Sequence, residues 1–487
     1  MTQLKIATSA TALLRGADSL LVIAPHAAFQ APGCARATLP EALASWVKEL
    51  GADLRPGALG ATTETRISGG PIPHLVVAAL PDAVSRHHAP SRSECIRSVT
   101  TKASRRGQKQ AVLVLVDAPE HALAAANAVA RGTSGMSLKS ERPARQTTEV
   151  LIADLEGKPI RLDAAEQETV AMARHAAELV DRPPTDLDPA RLAAEAKKTL
   201  RGLPGVRIRE IRGRALLEAG LGGIHGVGRC AVSEPRMLIA EYRPTRARGP
   251  HVALVGKGVT YDTGGLHLKP RGGMETMKGD MGGAAATLGA FRAAVAAKPS
   301  RRLTLLLCLA ENAIGPAAYK PDDVLTLHSG KTVEINNTDA EGRLLLADGV
   351  SYAARKLGAE VILDAATLTG AQLVATGLNH AAVVSNDEEL EQLAVVAGRA
   401  AGDLVHPLPF APEFYQSEFR SPIADMRNSV KNRSNAQSSC AAQFIYSHLE
   451  GTQVRWLHVD LAGPAYREER GTGYGVALLA AVARSVD

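Results

Sequence analysis

The chain has 487 residues, 45% of them hydrophobic and only 3% aromatic, with a formal net charge of +6. That length implies two or three domains, with cores filled by aliphatic and alanine side chains rather than rings. It contains no run of eighteen apolar residues and no basic-then-apolar leader near its start, which argues against a membrane-spanning helix and predicts no membrane partner.

Short apolar runs rich in β-branched residues alternate with alanine-rich helical ones. In the first part Leu20–Ile23, Leu75–Val77, Val112–Val116 and Val150–Ile152 read as strands. Leu39–Leu50 and Ala122–Arg131 read as helices between them. Such alternation predicts an α/β fold with a mostly parallel sheet covered by helices. Between Ser85 and Gln110 seven basic residues (Arg86, Arg92, Arg97, Lys102, Arg105, Arg106 and Lys109) face one acid, Glu94. A stripe of this kind can attract nucleic acid. No nucleic-acid motif accompanies it, so a solvated helix face and loop is the preferred reading.

Asp163–Val180 carries helical apolar spacing and stops at Asp181-Arg182-Pro183-Pro184, a strong break. This predicts two domains, 1–162 and 183–487, joined by a linker helix over 163–182. Beyond it, Met237–Tyr242, Val252–Val255, Leu303–Leu307, Val361–Leu363 and Trp456–Val459 are expected strands. Ala284–Ala297 and Arg343–Leu357 are expected helices. Val252–Val255 is expected to run into a Gly256-Lys257-Gly258 loop, and Val333–Ile335 into a loop at Asn337. Both loops would then lie beyond the carboxyl ends of strands, where open α/β sheets bind ligands.

The five cysteines (Cys34, Cys95, Cys230, Cys308 and Cys440) are odd in number and form no Cys-x-x-Cys pair. That pattern fits free thiols in a reducing, cytoplasmic setting better than disulfides or a thiolate zinc site.

The chemistry is concentrated in two stretches. Lys257, Asp262, Lys269 and Asp280 fall in one, and Asn337-Thr338-Asp339-Ala340-Glu341-Gly342-Arg343-Leu344 forms the other. Neither is a phosphate loop, because the Gly-x-x-x-x-Gly-Lys-Ser/Thr and Gly-x-Gly-x-x-Gly spacings are both missing. Carboxylates set among apolar runs need a partner or a metal. Asp262, Asp280, Asp339 and Glu341 would balance two divalent cations, which reads as a two-metal hydrolase site. Helix capping competes as an explanation for Asp280, Asp339 and Glu341. It leaves Arg343 unexplained, since a cation there opposes the dipole of the helix it begins. An anion held between Arg343 and the helix amides would resolve that conflict. A donor set of carboxylates and an amine suits Mn²⁺ or Mg²⁺ and accommodates Zn²⁺.

Taken together, these residues resemble the cytosolic leucine aminopeptidases from about Val180 to Ala481. The resemblance rests on Gly256 through Asp262, Gly264-Gly265, Leu268-Lys269-Pro270, Met277-Lys278 through the Gly-Gly-Ala-Ala-Ala run, and the full octapeptide Asn337–Leu344. Ala365 through Gly370, His458 through Gly463, and Thr472-Gly473 through Leu478-Leu479 extend it. It implies a dinuclear metallo-exopeptidase with zinc or manganese and a larger catalytic C-terminal domain. Asp262, Asp339 and Glu341 would hold one cation. Lys257, Asp262, Asp280 and Glu341 would hold the other, with Lys257 as a neutral amine whose pKa is pushed down. Lys269 would polarise the scissile carbonyl, and Arg343 would hold a bicarbonate. Met277, Asn337, Thr367 and Leu368 would contact the substrate, a peptide with a leucine-like first residue, in a homohexamer. A DNA-binding role using the basic segment is the alternative. His267, Tyr474 and Asp181-Arg182 depart from the family pattern. Tyr474 is expected to alter the pocket rim, and His267 to pack or make a contact behind the ligands.

Overall fold

The protein is described here by a computed structural model covering residues 3–68, 72–104, 107–133, 135–141 and 146–486. Its chain forms two compact units. One comprises residues 1–174 with 398–404, and the other residues 175–397 with 405–487. The helix Ala164–Asp181 carries the chain from the first into the second.

The first unit is built on six strands: β1 (Gln3–Ile6), β2 (Ser19–Pro25), β3 (Ala61–Arg66), β4 (His74–Leu80), β5 (Lys109–Leu115) and β6 (Thr147–Ala153). They lie in the order β1-β6-β5-β2-β4-β3, all pairs parallel except the edge pair of β3 with β4. Along β2, Leu20, Val22 and Ala24 enter one core while Leu21 and Ile23 enter another. Both faces are therefore covered, which is why these strands read as unbroken apolar runs. β3, with the sequence ATTETR, lacks that signal because it sits at an edge with alternate residues exposed.

The basic segment departs from the solvated face expected of it. Arg92 and Arg97 are buried. Arg92 donates to the carbonyls of Pro81, Asp82 and Pro90 and pairs with Asp117 at 2.8 Å. Arg97 forms a bidentate pair with Glu94, and Lys109 pairs with Glu149. Arg86 and Lys102 are exposed, while Arg105 and Arg106 lie outside the described residues. Much of the apparent excess charge is thus spent inside the fold, which removes the basis for a DNA-binding stripe.

The second unit carries an eight-stranded sheet: β7 (Val206–Arg212), β8 (Arg236–Tyr242), β9 (Val252–Asp262), β10 (Leu303–Asn312), β13 (Val361–Ala366), β14 (Ala381–Ser385), β15 (Val405–Pro407) and β17 (Arg455–Asp460). Their order is β15-β14-β17-β13-β9-β10-β8-β7. The four central strands β17, β13, β9 and β10 are parallel, and β14, β8 and β7 pair antiparallel outside them. Three short strands, β11 (Val324–Thr326), β12 (Thr332–Glu334) and β16 (Met426–Arg427), make a separate sheet. Two loop expectations change accordingly. Lys257 lies within β9, pairing in register with Cys308, because the strand continues to Asp262. The Asn337 loop follows β12 of the small sheet rather than a strand of the large one.

Small residues bring the helix Gly282–Ala296 against β9. A Cβ on Gly256 would lie 2.7 Å from Ala284 Cα, and one on Gly283 would lie 2.1 Å from the carbonyl oxygen of Ala365. Among the described residues no helix is long and apolar enough to cross a membrane.

Replacing Arg92 by alanine leaves three carbonyls and Asp117 without their charged donor. Arg92→Ala is expected to destabilise the first unit by about 1.5–3 kcal/mol, read as a lower urea midpoint. An unchanged midpoint would show that these contacts contribute little.

Candidate metal centre

β9 delivers two of the charged residues directly. Lys257 points from the middle of the strand, and Asp262 ends it. The 3-10 turn Met277–Gly279 places Asp280 just before the helix Gly282–Ala296, and the Asn337 loop places Asp339 and Glu341 before the helix Gly342–Arg355. Neither helix has a side-chain cap at its start. Capping is therefore not what these acids do.

The side chains converge closely. Oxygens of Asp262, Asp280 and Glu341, all buried, lie within 4.8 Å of one another. Lys257 Nζ sits among them, 2.7 Å from Asp280 Oδ1, 3.0 Å from Glu341 Oε1 and 2.8 Å from the Thr367 carbonyl. Lys269 Nζ lies 2.7 Å from Asp262 Oδ2 and 2.5 Å from Asp339 Oδ1, so Asp339 joins the group through that lysine. Gly342 is required here by close approach: a Cβ would stand 2.5 Å from Lys257 Cε. Every site residue named from the sequence lines one cavity of about 590 Å³, with Met277, Leu373 and Leu378 among its apolar lining.

Burial opposes the charge on Lys257, but the carboxylates of Asp280, Glu341 and Asp262 outweigh it and hold its pKa above the ordinary lysine range. The cause is three acids within reach; the downward shift expected for Lys257 is that of an amine beside two bound cations. Lys269 is likewise held up: burial opposes its charge, but Asp262 and Asp339 prevail. Burial pushes the carboxyls of Asp280 and Glu341 up, and repulsion from neighbouring acids adds to it. Asp280 Oδ2 is buried with no hydrogen-bond partner among the described residues, which a bound cation would satisfy. Clustered, desolvated carboxylates with an orphaned oxygen fit a divalent metal centre.

Arg343 is buried with one NH on the Asn428 carbonyl at 3.0 Å, and its Nε has no partner among the described residues. Burial lowers its pKa to about 10 against the pull of Glu341, so it stays cationic at neutral pH.

Several supporting residues were given no role by the sequence. Asn312, at the end of β10, donates to Asp262 Oδ1 at 2.8 Å and to the Thr338 carbonyl at 3.0 Å. Asn428 accepts from the amides of Asn336 and Asn337 and donates to the carbonyls of Asn337 and Ala340. Asp460 accepts from Leu368 N and Thr369 Oγ1, fixing the turn after β13. Thr367 does more than line the pocket, since its hydroxyl donates to Asp280 at 2.9 Å. Asn337 accepts from Asp339 N, shaping the loop it was expected to offer to substrate. Tyr474 is not at the rim. It is buried and accepts from the Ala381 amide, while Tyr466 lines the cavity instead. His267 is exposed rather than packed, but it makes the expected contact behind the ligands, its Nδ1 accepting from the Thr338 amide at 3.1 Å.

The family profile described as "Cytosol aminopeptidase family, catalytic domain" matches residues 174–480, and "M17 aminopeptidase N-terminal domain 2" matches residues 62–142. A human protein named "Probable aminopeptidase NPEPL1" is 45% identical over 419 residues, 84% of this chain and 79% of the relative. "Leucine aminopeptidase 1" of Caenorhabditis elegans is 48% identical over 307 residues, 63% of this chain and 62% of the relative. Among solved structures, leucyl aminopeptidase from Trypanosoma brucei in complex with bestatin superposes with a TM-score of 0.90 at 33% identity, covering 100% of this chain and 96% of that one. The apo enzyme from Trypanosoma cruzi gives 0.88 at 37%, covering 100% and 97%.

Asn312→Ala removes one donor from Asp262 without touching the cluster's charge. It is expected to weaken divalent-cation binding about 10- to 100-fold, measured by titrating Mn²⁺ into metal-free protein. Wild-type affinity would mean Asn312 plays no part in orienting Asp262.

Proposed function

Because this chain belongs to the cytosol aminopeptidase family and is a metal-dependent aminopeptidase with a larger C-terminal catalytic domain, we propose that it releases leucine-like residues from the amino end of peptides using two divalent cations. The observation that carries this reading is the packing of Asp262, Asp280 and Glu341 within 4.8 Å, in a cavity that also has an apolar lining. Catalysis is assigned to the domain 183–487 without residues 398–404, which belong to the first unit; it is joined to 1–162 through the helix over 163–182.

Asp262, Asp280, Asp339, Glu341 and Lys257 would hold the cations, Zn²⁺ or Mn²⁺, with Mg²⁺ also compatible with the oxygen donors. When bound, such ions act as Lewis acids that polarise a carbonyl and lower the pKa of water. Lys257 carries a proton among its three acids, and serving as a ligand requires it to give that proton up as cation charge replaces its own. Lys269, paired with Asp262 and Asp339, keeps its proton and would donate to the scissile carbonyl oxygen, more strongly as negative charge develops there. Arg343, with its unpartnered Nε, is the anchor for a bicarbonate. Met277 and Thr367 bound the space for the first side chain, with Leu368 and Asn337 beside it. The homohexamer implied by the sequence resemblance is part of this proposal, tested by sedimentation velocity. The five free cysteines fit a cytoplasmic, reducing location.

The direct test is hydrolysis of leucine-p-nitroanilide by purified protein, with and without added Mn²⁺ or Zn²⁺ and after chelation. No turnover under any metal condition would overturn the reading. Asp262→Asn is expected to lose most bound metal and nearly all activity with the fold retained, as elemental analysis and circular dichroism report. Two metals per chain in that variant would reject the ligand assignment.

The two lysines are expected to separate. Lys269→Ala should lower kcat by about 10²–10³ with metal retained, whereas Lys257→Ala should deplete one metal. Equal metal loss in both variants would reverse their roles.

A further inference from the structure

A second cavity of about 530 Å³ adjoins the metal centre. The two share Lys269, Asn337, Asp339, Ser429 and Arg433 in their linings, so they meet along that row. The second alone is lined by His267, Leu268, Pro270, Asn336 and Val430. It contains none of the apolar residues Met277, Leu373 and Leu378 that line the first.

The proposed roles set the direction of a bound peptide. With the α-amine at the carboxylate cluster and the first side chain against Met277, the scissile carbonyl would lie by Lys269. The chain beyond it would then pass the shared row and enter the second cavity. This step rests on the aminopeptidase reading above.

The charge of the second cavity is specific. Lys269 is already matched by Asp262 and Asp339. Arg433 makes no ion pair with a carboxylate among the described residues, and its charge acts against that of Arg343. Its loop is anchored by Glu418, whose two oxygens are taken by Asn432 N and Asn435 Nδ2. His267 adds an N–H donor. Its Nδ1 accepts from the Thr338 amide at 3.1 Å, which places the ring proton on Nε2. An uncompensated guanidinium and an N–H donor in one concave site match a carboxylate.

We infer that this second cavity selects the leaving portion of the substrate by its negative charge, with Arg433 as the specificity-determining cation and His267 as its companion donor. The carboxylate is either the C-terminus of a dipeptide or an acidic side chain at the second residue.

Three substrates distinguish the sources: Leu-Ala with a free carboxylate, Leu-Ala amide with none, and Leu-Glu amide with the charge on the side chain. The metal-loaded wild type is expected to favour at least one charged peptide over Leu-Ala amide by about 3- to 10-fold in kcat/KM, mostly through KM, the scale of a partly exposed charged contact. The preference should shrink with added salt. In Arg433→Gln it should fall to within about twofold, and in His267→Ala it should fall partway. The charged peptide that carries the preference identifies the source. No preference in the wild type, or an undiminished preference in Arg433→Gln, overturns the inference while leaving the aminopeptidase reading intact. Failure of the wild type to cleave all three peptides overturns both.

Discussion

A lysine ammonium enclosed by three carboxylates, inside a strand at the centre of a parallel sheet, is the constraint around which the second unit is arranged. Charges this deep are tolerated only when each has a partner at hydrogen-bond distance. Lys257 reaches Asp280, Glu341 and the Thr367 carbonyl at once. Those three come from a turn after β9, from the loop before the helix Gly342–Arg355, and from the end of β13. A single side chain thereby fixes the relative position of three segments remote in sequence. The glycines around it follow from the same demand, since Gly342 must leave room for the lysine stem and Gly256 and Gly283 let a helix close over the strand.

A ring of uncharged amides extends that arrangement outward. Asn312 holds Asp262, and Asn428 holds both ends of the loop bearing Asp339 while its carbonyl receives Arg343. These contacts orient acids that would otherwise repel one another, without adding charge to a site already crowded with it. Preorganisation of this kind is what keeps a cluster of carboxylates from being relieved by simple displacement.

The charged residues were legible in the sequence because acids and lysines beside long apolar runs have few structural explanations, and the octapeptide Asn337–Leu344 has a distinctive spacing. The central strands were legible because both their faces are covered. The edges were not. β3 and β7, with sequences ATTETR and VRIREIR, alternate exposed residues and carry charge. Asn312 and Asn428 escaped because each is an ordinary polar residue until folding brings it against its partners. The basic segment misled for the converse reason: composition records that Arg92 and Arg97 are charged, but not that carbonyls and acids enclose them.

Thr367 occupies two worlds. Its side chain borders the space for the first residue of a substrate, and the same hydroxyl grips Asp280 while its carbonyl grips Lys257. A change at this position that reshaped the pocket would disturb the electrostatic centre in the same stroke. Evolution toward other side chains is therefore channelled through Met277, Leu373 and Leu378, whose apolar side chains line the same cavity. Divergence of taste among descendants of this fold should accumulate on that apolar wall and leave the threonine alone.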